Sequence, residues 1–164
     1  GQSVGLLQFG EPNGLSTIPA ADTVTSAILT LHLDATYSSG TNLLFAAPVT
    51  SAWTSGVNAV TPTFTTGSAV STVLPAVSYQ TVTLDITSIV QSWINGSLAN
   101  DGLALYSDTG YRGAKILGSN GGYGGASAPL LTIDYAAPAP IPEPASLGVL
   151  GLSSLGLLVR RRRA

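Results

Sequence analysis

Several short stretches of the chain alternate apolar with polar residues, as β-strands do. The clearest covers residues 23–35, where leucines alternate with polar side chains: Leu29, Leu31 and Leu33 against Thr30, His32 and Asp34. A period of two places the leucines on one face of a sheet, so that face is predicted to be buried. Further short apolar stretches follow, separated by Gly, Pro, Asn and Ser clusters: SVGLLQF, NLLFAAPV, QTVTLDI, LALYS, AKILGS and PLLTIDY. This pattern predicts an all-β domain, a β-sandwich of jelly-roll type.

One segment has a helical period instead. In DITSIVQSWINGS the apolar residues fall at i, i+3, i+4, i+7 and i+8, namely Ile86, Ile89, Val90, Trp93 and Ile94. They lie on one face of a helix. Asp85 or Thr87 can cap its start, and Gly96 can adopt the left-handed conformation after its end. We expect one short helix that closes an end of the sandwich, with Trp93 in the core.

The distribution of charge separates the end of the chain from the rest. Of 6 basic residues, 4 are consecutive at Arg160, Arg161, Arg162 and Arg163, which leaves Arg112 and Lys115 for the remainder. Two basic residues cannot neutralise a row of phosphates, so no nucleic-acid partner is expected. The chain has 0 cysteines, which excludes disulfides, thiolate metal sites and cysteine nucleophiles.

The C-terminal segment has the polarity of a membrane-inserted signal. Residues 145–159 carry no charge and are followed by the four arginines. As a helix they would extend roughly 22 Å, against about 30 Å for a bilayer core, which is short for a permanent anchor. The arginines favour the cytoplasmic side, so the folded domain would lie on the other side. A buried soluble helix is disfavoured, because its apolar residues would cover every face before ending in four charges.

In front of this segment lies the proline-rich spacer AAPAPIPEPA, which is stiff and extended. The order of Pro142, Glu143 and Pro144, an apolar run and an arginine cluster resembles the PEP-CTERM sorting tail of Gram-negative bacteria. The resemblance implies that an exosortase-type membrane protease processes the tail near the Pro-Glu-Pro motif after transient insertion in the inner membrane. It also implies export to the cell surface or outside the cell, with an association with extracellular polysaccharide.

Residues 3–135 resemble a second family. The ordered stretches LLQF, SAILTLHL, DITSIVQSW, NDGLAL and PLLTIDY are similar to the DNRLRE family, whose members resemble carbohydrate-binding modules of jelly-roll type. That family usually begins with another strand pair before LLQF, so the resemblance implies an N-terminal truncation. The expected organisation is a DNRLRE-like sandwich at 1–135, a Pro-rich spacer at 136–144 and, at 145–164, a single transmembrane sorting helix with its arginine cluster.

The residues suited to catalysis give no recognisable constellation. His32 is the only histidine and occupies an alternating strand position, with no G-x-S-x-G signature. The acidic residues are dispersed singly, although two could still meet in space as a glycosidase pair. We expect no enzymatic activity, and a hydrolase or lyase acting on polysaccharide is the distant alternative.

Two kinds of binding site can be proposed from single residues. Asn100, Asp101 and Asp108 offer hard oxygen ligands for calcium, but Asn and Asp in such turns more commonly bond their own backbone. Tyr111 and Tyr123 are the loop aromatics suited to stacking on a sugar.

Tyr37 and Trp53 are weaker candidates for such stacking, and Trp53 matches the family's first tryptophan, which indicates packing. The best-supported role is a non-catalytic surface or matrix protein. Carbohydrate binding is the alternative.

Overall fold

The computed structural model describes residues 4–9, 15–37, 41–54, 62–108, 113–118 and 128–140. These residues form two antiparallel β-sheets and one α-helix. The elements in chain order are β1 (Gly5–Leu7), β2 (Thr23–Thr36), β3 (Leu43–Pro48), β4 (Val70–Val73), β5 (Thr81–Asp85), α1 (Thr87–Ile94), β6 (Leu103–Ser107), β7 (Ala114–Ile116) and β8 (Leu130–Ala136).

The first sheet has the strand order β1-β6-β3-β4. Its register brings together distant parts of the chain, since Leu7 lies opposite Leu103, and Pro48 also lies opposite Leu103 on the other edge of β6. Pro48 is the last residue of β3, where a missing backbone N–H is tolerated. The backbone bonds continue beyond it, because Val49 N–H donates to the Gly102 carbonyl oxygen at 2.9 Å.

The second sheet is organised around β2, its longest strand. Residues 28–32 pair with β5 on one edge, while residues 23–30 pair with β8 on the other. The last part of β2 pairs with β7. Strand β7 lies on the same edge of β2 as β8, beyond the part of β2 that β8 pairs with. Strand β2 therefore runs the full length of the sandwich, about 40 Å at 3.3 Å per residue.

One hydrophobic core lies between the two sheets. Leu29 and Leu31 on β2 are fully buried and Leu33 nearly so, whereas Thr30, His32 and Asp34 are only half-buried, so the predicted alternation is confirmed. Residues of the facing sheet, including Leu44 and Leu103, belong to the same buried cluster.

Helix α1 closes one end of this core. Ile89, Val90 and Trp93 are buried, which confirms the predicted apolar face. Asp85 precedes the helix, and its Oδ1 accepts the Thr87 backbone N–H at 3.0 Å and the Thr87 hydroxyl at 2.6 Å. Gly96 follows the helix with φ 73°, as predicted.

The Thr87 hydroxyl also links α1 to the second sheet. Its oxygen accepts the backbone N–H of Ala27 at 2.9 Å while its proton goes to Asp85. Residues on β2, at the end of β5 and on α1 are therefore held by one short chain of hydrogen bonds.

The structure confirms part of the sequence prediction and adds one strand. Strand β4 was not predicted. The two-sheet β-rich fold with one helix is confirmed, whereas the jelly-roll topology and the domain boundaries remain predictions. Within the described ranges, no helix combines the length and apolar character needed to cross a bilayer, and the predicted sorting helix at 145–164 lies outside those ranges.

Candidate functional site

The C-terminal spacer leaves the sandwich at the end that α1 closes. The last residue of β8, Ala136, pairs with Thr23 at the beginning of β2. Next to it, the side-chain Oε1 of Gln91 on α1 accepts the Val24 backbone N–H at 2.7 Å. Residues 137–140 follow without secondary structure and are exposed. We call this the tail end of the domain.

The opposite end carries the most exposed aromatic side chains of the described residues. Tyr37, directly after β2, is 65% exposed, and Tyr79, in the loop between β4 and β5, is 76% exposed. Val77 in the same loop is 64% exposed. Because Thr23 and Thr36 are the two ends of β2, these tyrosines lie about 40 Å from the point where the tail leaves. We call this the tyrosine end.

Hydrogen bonds hold the two tyrosine-bearing segments side by side. Thr36 N–H donates to Ser78 Oγ at 3.1 Å, and the Thr36 hydroxyl donates to the Pro75 carbonyl oxygen at 2.9 Å. Leu33 N–H donates to the Gln80 carbonyl oxygen at 2.8 Å. The residues directly before Tyr37 and on both sides of Tyr79 are thereby fixed.

Tyr79 also has an unusual backbone conformation. Its φ is 59°, in the left-handed region that L side chains other than Asn, Asp and His seldom adopt. The sequence prediction missed this residue, although an aromatic between polar residues in a loop, as in VSYQ, is the same signal that singled out Tyr111 and Tyr123.

Charged groups near the tyrosine end have partners. Lys115 on β7 forms a salt bridge with Asp34 on β2. Asp108 follows β6, and its Oδ1 accepts the Leu43 backbone N–H at 3.1 Å. Lys115 and Asp34 thus compensate each other's charge, and the Asp108 carboxylate is stabilised by a hydrogen bond.

The predicted calcium ligands do not come together. Asp101 precedes β6 and Asp108 follows it, so about 20 Å of extended strand separates them. Ligand oxygens of one calcium ion lie 2.3–2.6 Å from the metal, so a single ion cannot bind both residues. Asn100 and Asp101 are adjacent, and the Asn100 Nδ2 donates to the Phe9 carbonyl oxygen at 2.9 Å. In the part of the chain described, no three His, Asp or Glu side chains form a group that could hold a metal.

Trp53 is held in place by the NDG turn. Its indole N–H donates to the Asp101 carbonyl oxygen at 2.7 Å, and the side chain is half-buried. These contacts agree with the packing role expected from the sequence. Gly102 in the same turn has φ 92°, and a Cβ atom there would lie 2.2 Å from the Leu7 carbonyl oxygen.

A second group of aromatics lies on the outer face of the first sheet. The Phe45 and Tyr106 rings are stacked with centroids 5.1 Å apart, and Phe64 packs against Tyr106 at 5.3 Å. All three side chains are half-buried, and burial raises the pKa of the Tyr106 hydroxyl. The rings cover one another, so they present less free surface than the tyrosine end.

His32 lies on the outer face of the second sheet. Its Nδ1 is 3.1 Å from the hydroxyl oxygen of Thr81, the residue opposite it in the strand register. This contact is a cross-strand pair of polar side chains, as expected for a surface-facing strand histidine.

Comparison with known proteins identifies the C-terminal segment. Residues 140–163 match the PEP-CTERM protein-sorting motif. No curated protein and no solved structure matches the chain. The PEP-CTERM motif indicates an exported protein that is sorted by exosortase, a membrane protein, and that crosses the membrane on its way to the cell surface.

Some of the predicted site residues lie outside the described ranges. They are Tyr111, Tyr123, the Pro142-Glu143-Pro144 signature and the arginines 160–163 of the PEP-CTERM motif. The saccharide contacts predicted at Tyr111 and Tyr123 and the similarity to the DNRLRE family remain predictions.

Proposed function

We propose that this chain is a non-catalytic surface or extracellular-matrix protein of a Gram-negative bacterium, associated with exopolysaccharide. An exosortase-type membrane protease processes its PEP-CTERM tail near the Pro-Glu-Pro signature. The observation that carries the proposal is the match of residues 140–163 to the sorting motif, directly after a folded domain.

The length and the charge of the tail support a transient insertion in the membrane that is followed by processing. The uncharged run is too short to remain as a stable span, and the arginines resist passage through the bilayer. Insertion is therefore transient and has a defined orientation. The exposed residues 137–140 follow Ala136, and an extended spacer would place the signature about 19 Å beyond the last strand. A membrane protease then acts on the spacer without unfolding the domain.

A non-catalytic role is supported by the structural contacts of three of the described carboxylates. Asp85 accepts two hydrogen bonds from Thr87 at the start of α1, Asp34 pairs with Lys115 and Asp108 binds the backbone N–H of Leu43. Each of these acids has a structural partner. The hydrolase or lyase alternative would need two carboxylates that face each other across a common cleft.

Intact-mass spectrometry of the native protein tests the sorting proposal. In cells with an active exosortase we expect the secreted form to end near residues 142–144, without the apolar run and the arginines. The variant Pro142→Ala/Pro144→Ala should retain the full tail and remain in the membrane fraction. Pro138→Ala, a spacer proline before the matched motif, is the control and should be processed normally. Secreted wild-type protein that retains Arg160–Arg163 would contradict the proposal.

A carbohydrate-binding module of jelly-roll type is the second candidate function. The exposed tyrosines at the end of the domain away from the tail favour it, because a processed or inserted tail leaves that end accessible. Purified protein should then be retarded in native gels that contain polysaccharide. Equal mobility with and without polysaccharide would count against binding.

A further inference from the structure

We infer that Tyr37 and Tyr79 form one stacking surface for an uncharged polysaccharide chain, at the end of the domain that faces away from the membrane. This inference rests on the proposed association with polysaccharide, and it adds the residues and the chemical class of the ligand. Neither residue was among the leading saccharide contacts predicted from the sequence.

The first argument is that both rings are presented on fixed backbone. The bonds from Thr36 to Ser78 and Pro75 tie the end of β2 to the loop that carries Tyr79. On its other side, Tyr37 N–H donates to the Gly113 carbonyl oxygen at 2.9 Å. A ligand that contacts both rings would therefore order little additional backbone on binding, which is the usual condition for affinity from a small surface.

The second argument is that neither tyrosine ring serves the fold. Both are mostly exposed, and neither belongs to the hydrophobic core. The left-handed conformation of Tyr79 is strained for a residue with a Cβ atom. A smaller residue such as Gly or Asn would avoid that strain and the exposed apolar area, so stability does not explain this tyrosine.

The third argument concerns the class of ligand. A phenol ring offers an apolar face and a polar hydroxyl, which matches a pyranose with its C–H face and its hydroxyl rim. Ser78 and Gln80 flank Tyr79, and Lys115 and Asp34 neutralise each other nearby. An acidic polysaccharide would need uncompensated cations to offset its desolvation. The described surface therefore fits an uncharged sugar.

The fourth argument is the placement of the surface relative to the membrane. Thr36 and Thr23 are the two ends of β2, and the spacer leaves beside Thr23. While the tail is inserted, the tyrosine end is thus held about 40 Å beyond the base of the domain. A chain polymer outside the cell can reach that end before and after processing.

Affinity electrophoresis of the full chain in mild detergent tests the inference. The probes are hydroxyethyl cellulose, a soluble β-1,3-glucan and xylan as uncharged polysaccharides, with polygalacturonate as the acidic one. We expect retardation by at least one uncharged probe, with equal strength in 50 and 500 mM salt. Tyr37→Ala/Tyr79→Ala should weaken it at least tenfold, and Tyr37→Phe/Tyr79→Phe should keep most of it.

Tyr135→Ala is the matched control, because Tyr135 is 48% exposed on β8 at the tail end. It should bind like the wild type, and circular dichroism with thermal melting should show that every variant is folded. The inference is overturned if no uncharged probe retards the wild type, if polygalacturonate alone does so, or if the double alanine variant binds normally. Tyrosine-dependent dimerisation in place of sugar binding would also overturn it. Tail processing, read by intact mass in the same variants, reports separately on the sorting proposal.

Discussion

Trp53 donates its indole N–H to the carbonyl oxygen of Asp101 at 2.7 Å, across 48 residues of chain. This bond attaches the loop after β3 to the turn before β6. It gives Trp53 a structural role in joining these two segments. An aromatic side chain that a sequence reading could assign to sugar binding is thereby assigned to packing.

Trp53→Phe tests this role, because it keeps a ring but removes the N–H donor. The Asp101 carbonyl oxygen then loses its partner, and we expect the free energy of unfolding to fall by about 1 kcal/mol. Urea denaturation measures the change. Retardation by polysaccharide should stay at the wild-type level, and its loss would place Trp53 in the ligand surface.

Gly102→Ala should destabilise the contact between β1 and β6. The new Cβ atom would lie 2.2 Å from the Leu7 carbonyl oxygen, on a backbone with φ 92°. We expect a loss of about 2–4 kcal/mol in the free energy of unfolding, or separation of β1 from the sheet. Gly67→Ala is the control, since nothing lies within 4 Å of a Cβ atom there. Similar melting temperatures for the two variants would contradict the assigned strain.

The hydrogen bonds that Asp85 accepts from Thr87 should make stability depend on pH. The hydrogen bonds from Thr87, from its hydroxyl first and its backbone N–H second, lower the pKa of the Asp85 carboxyl below its usual value. The folded state therefore binds this proton less readily than the unfolded state. The stabilisation is present above about pH 4, the unfolded pKa, and is lost as the pH falls through the lower folded pKa.

Asp85→Asn isolates this contribution from those of the other carboxylates. The difference in unfolding free energy between wild type and Asp85→Asn should be constant near neutral pH and shrink below about pH 4. In a Thr87→Val background, the substitution Asp85→Asn should change the free energy of unfolding less than it does in the wild type. A gap that stays constant down to pH 2 would show that the carboxylate charge is not what stabilises the start of α1.

Replacing Tyr79 by Gly should raise stability. Glycine adopts positive φ without steric cost, so we expect a gain of roughly 0.5–1 kcal/mol, offset in part by the greater entropy of the unfolded chain. Tyr37→Gly, with no positive φ, should give no gain. Thermal melting of both variants measures the difference, and equal or lower stability of Tyr79→Gly would remove the argument from strain.

Deleting residues 137–140 should slow processing of the PEP-CTERM tail. The deletion removes about 12 Å of extended spacer and brings the folded domain against the protease and the membrane. The fraction of cleaved chain after a pulse of synthesis, read by mass, should fall several-fold. Replacing the four residues by Gly-Ser-Gly-Ser keeps the length and should restore most of the cleavage. Rapid cleavage of the deleted chain would show that the distance is unimportant.

Local patterns in the sequence determined much of this protein. The alternation in residues 23–35 identified β2 and its buried face, and the 3.6-residue period after Asp85 identified α1 with its Gly96 terminus. The order of prolines, apolar residues and arginines identified the sorting tail. Each of these follows from the sequence itself, because periodicity and polarity are properties of neighbouring residues.

Only the tertiary structure decided which residues share an end of the domain. Strand register, set by pairs such as Ala136 with Thr23 and Thr36 with Ala114, places the tail at one end and the tyrosines at the other. Asp101 and Asp108, which the calcium hypothesis had grouped, are separated by strand β6, which the sequence itself predicted. Register joins residues many positions apart through packing of the whole core, so no local pattern contains it.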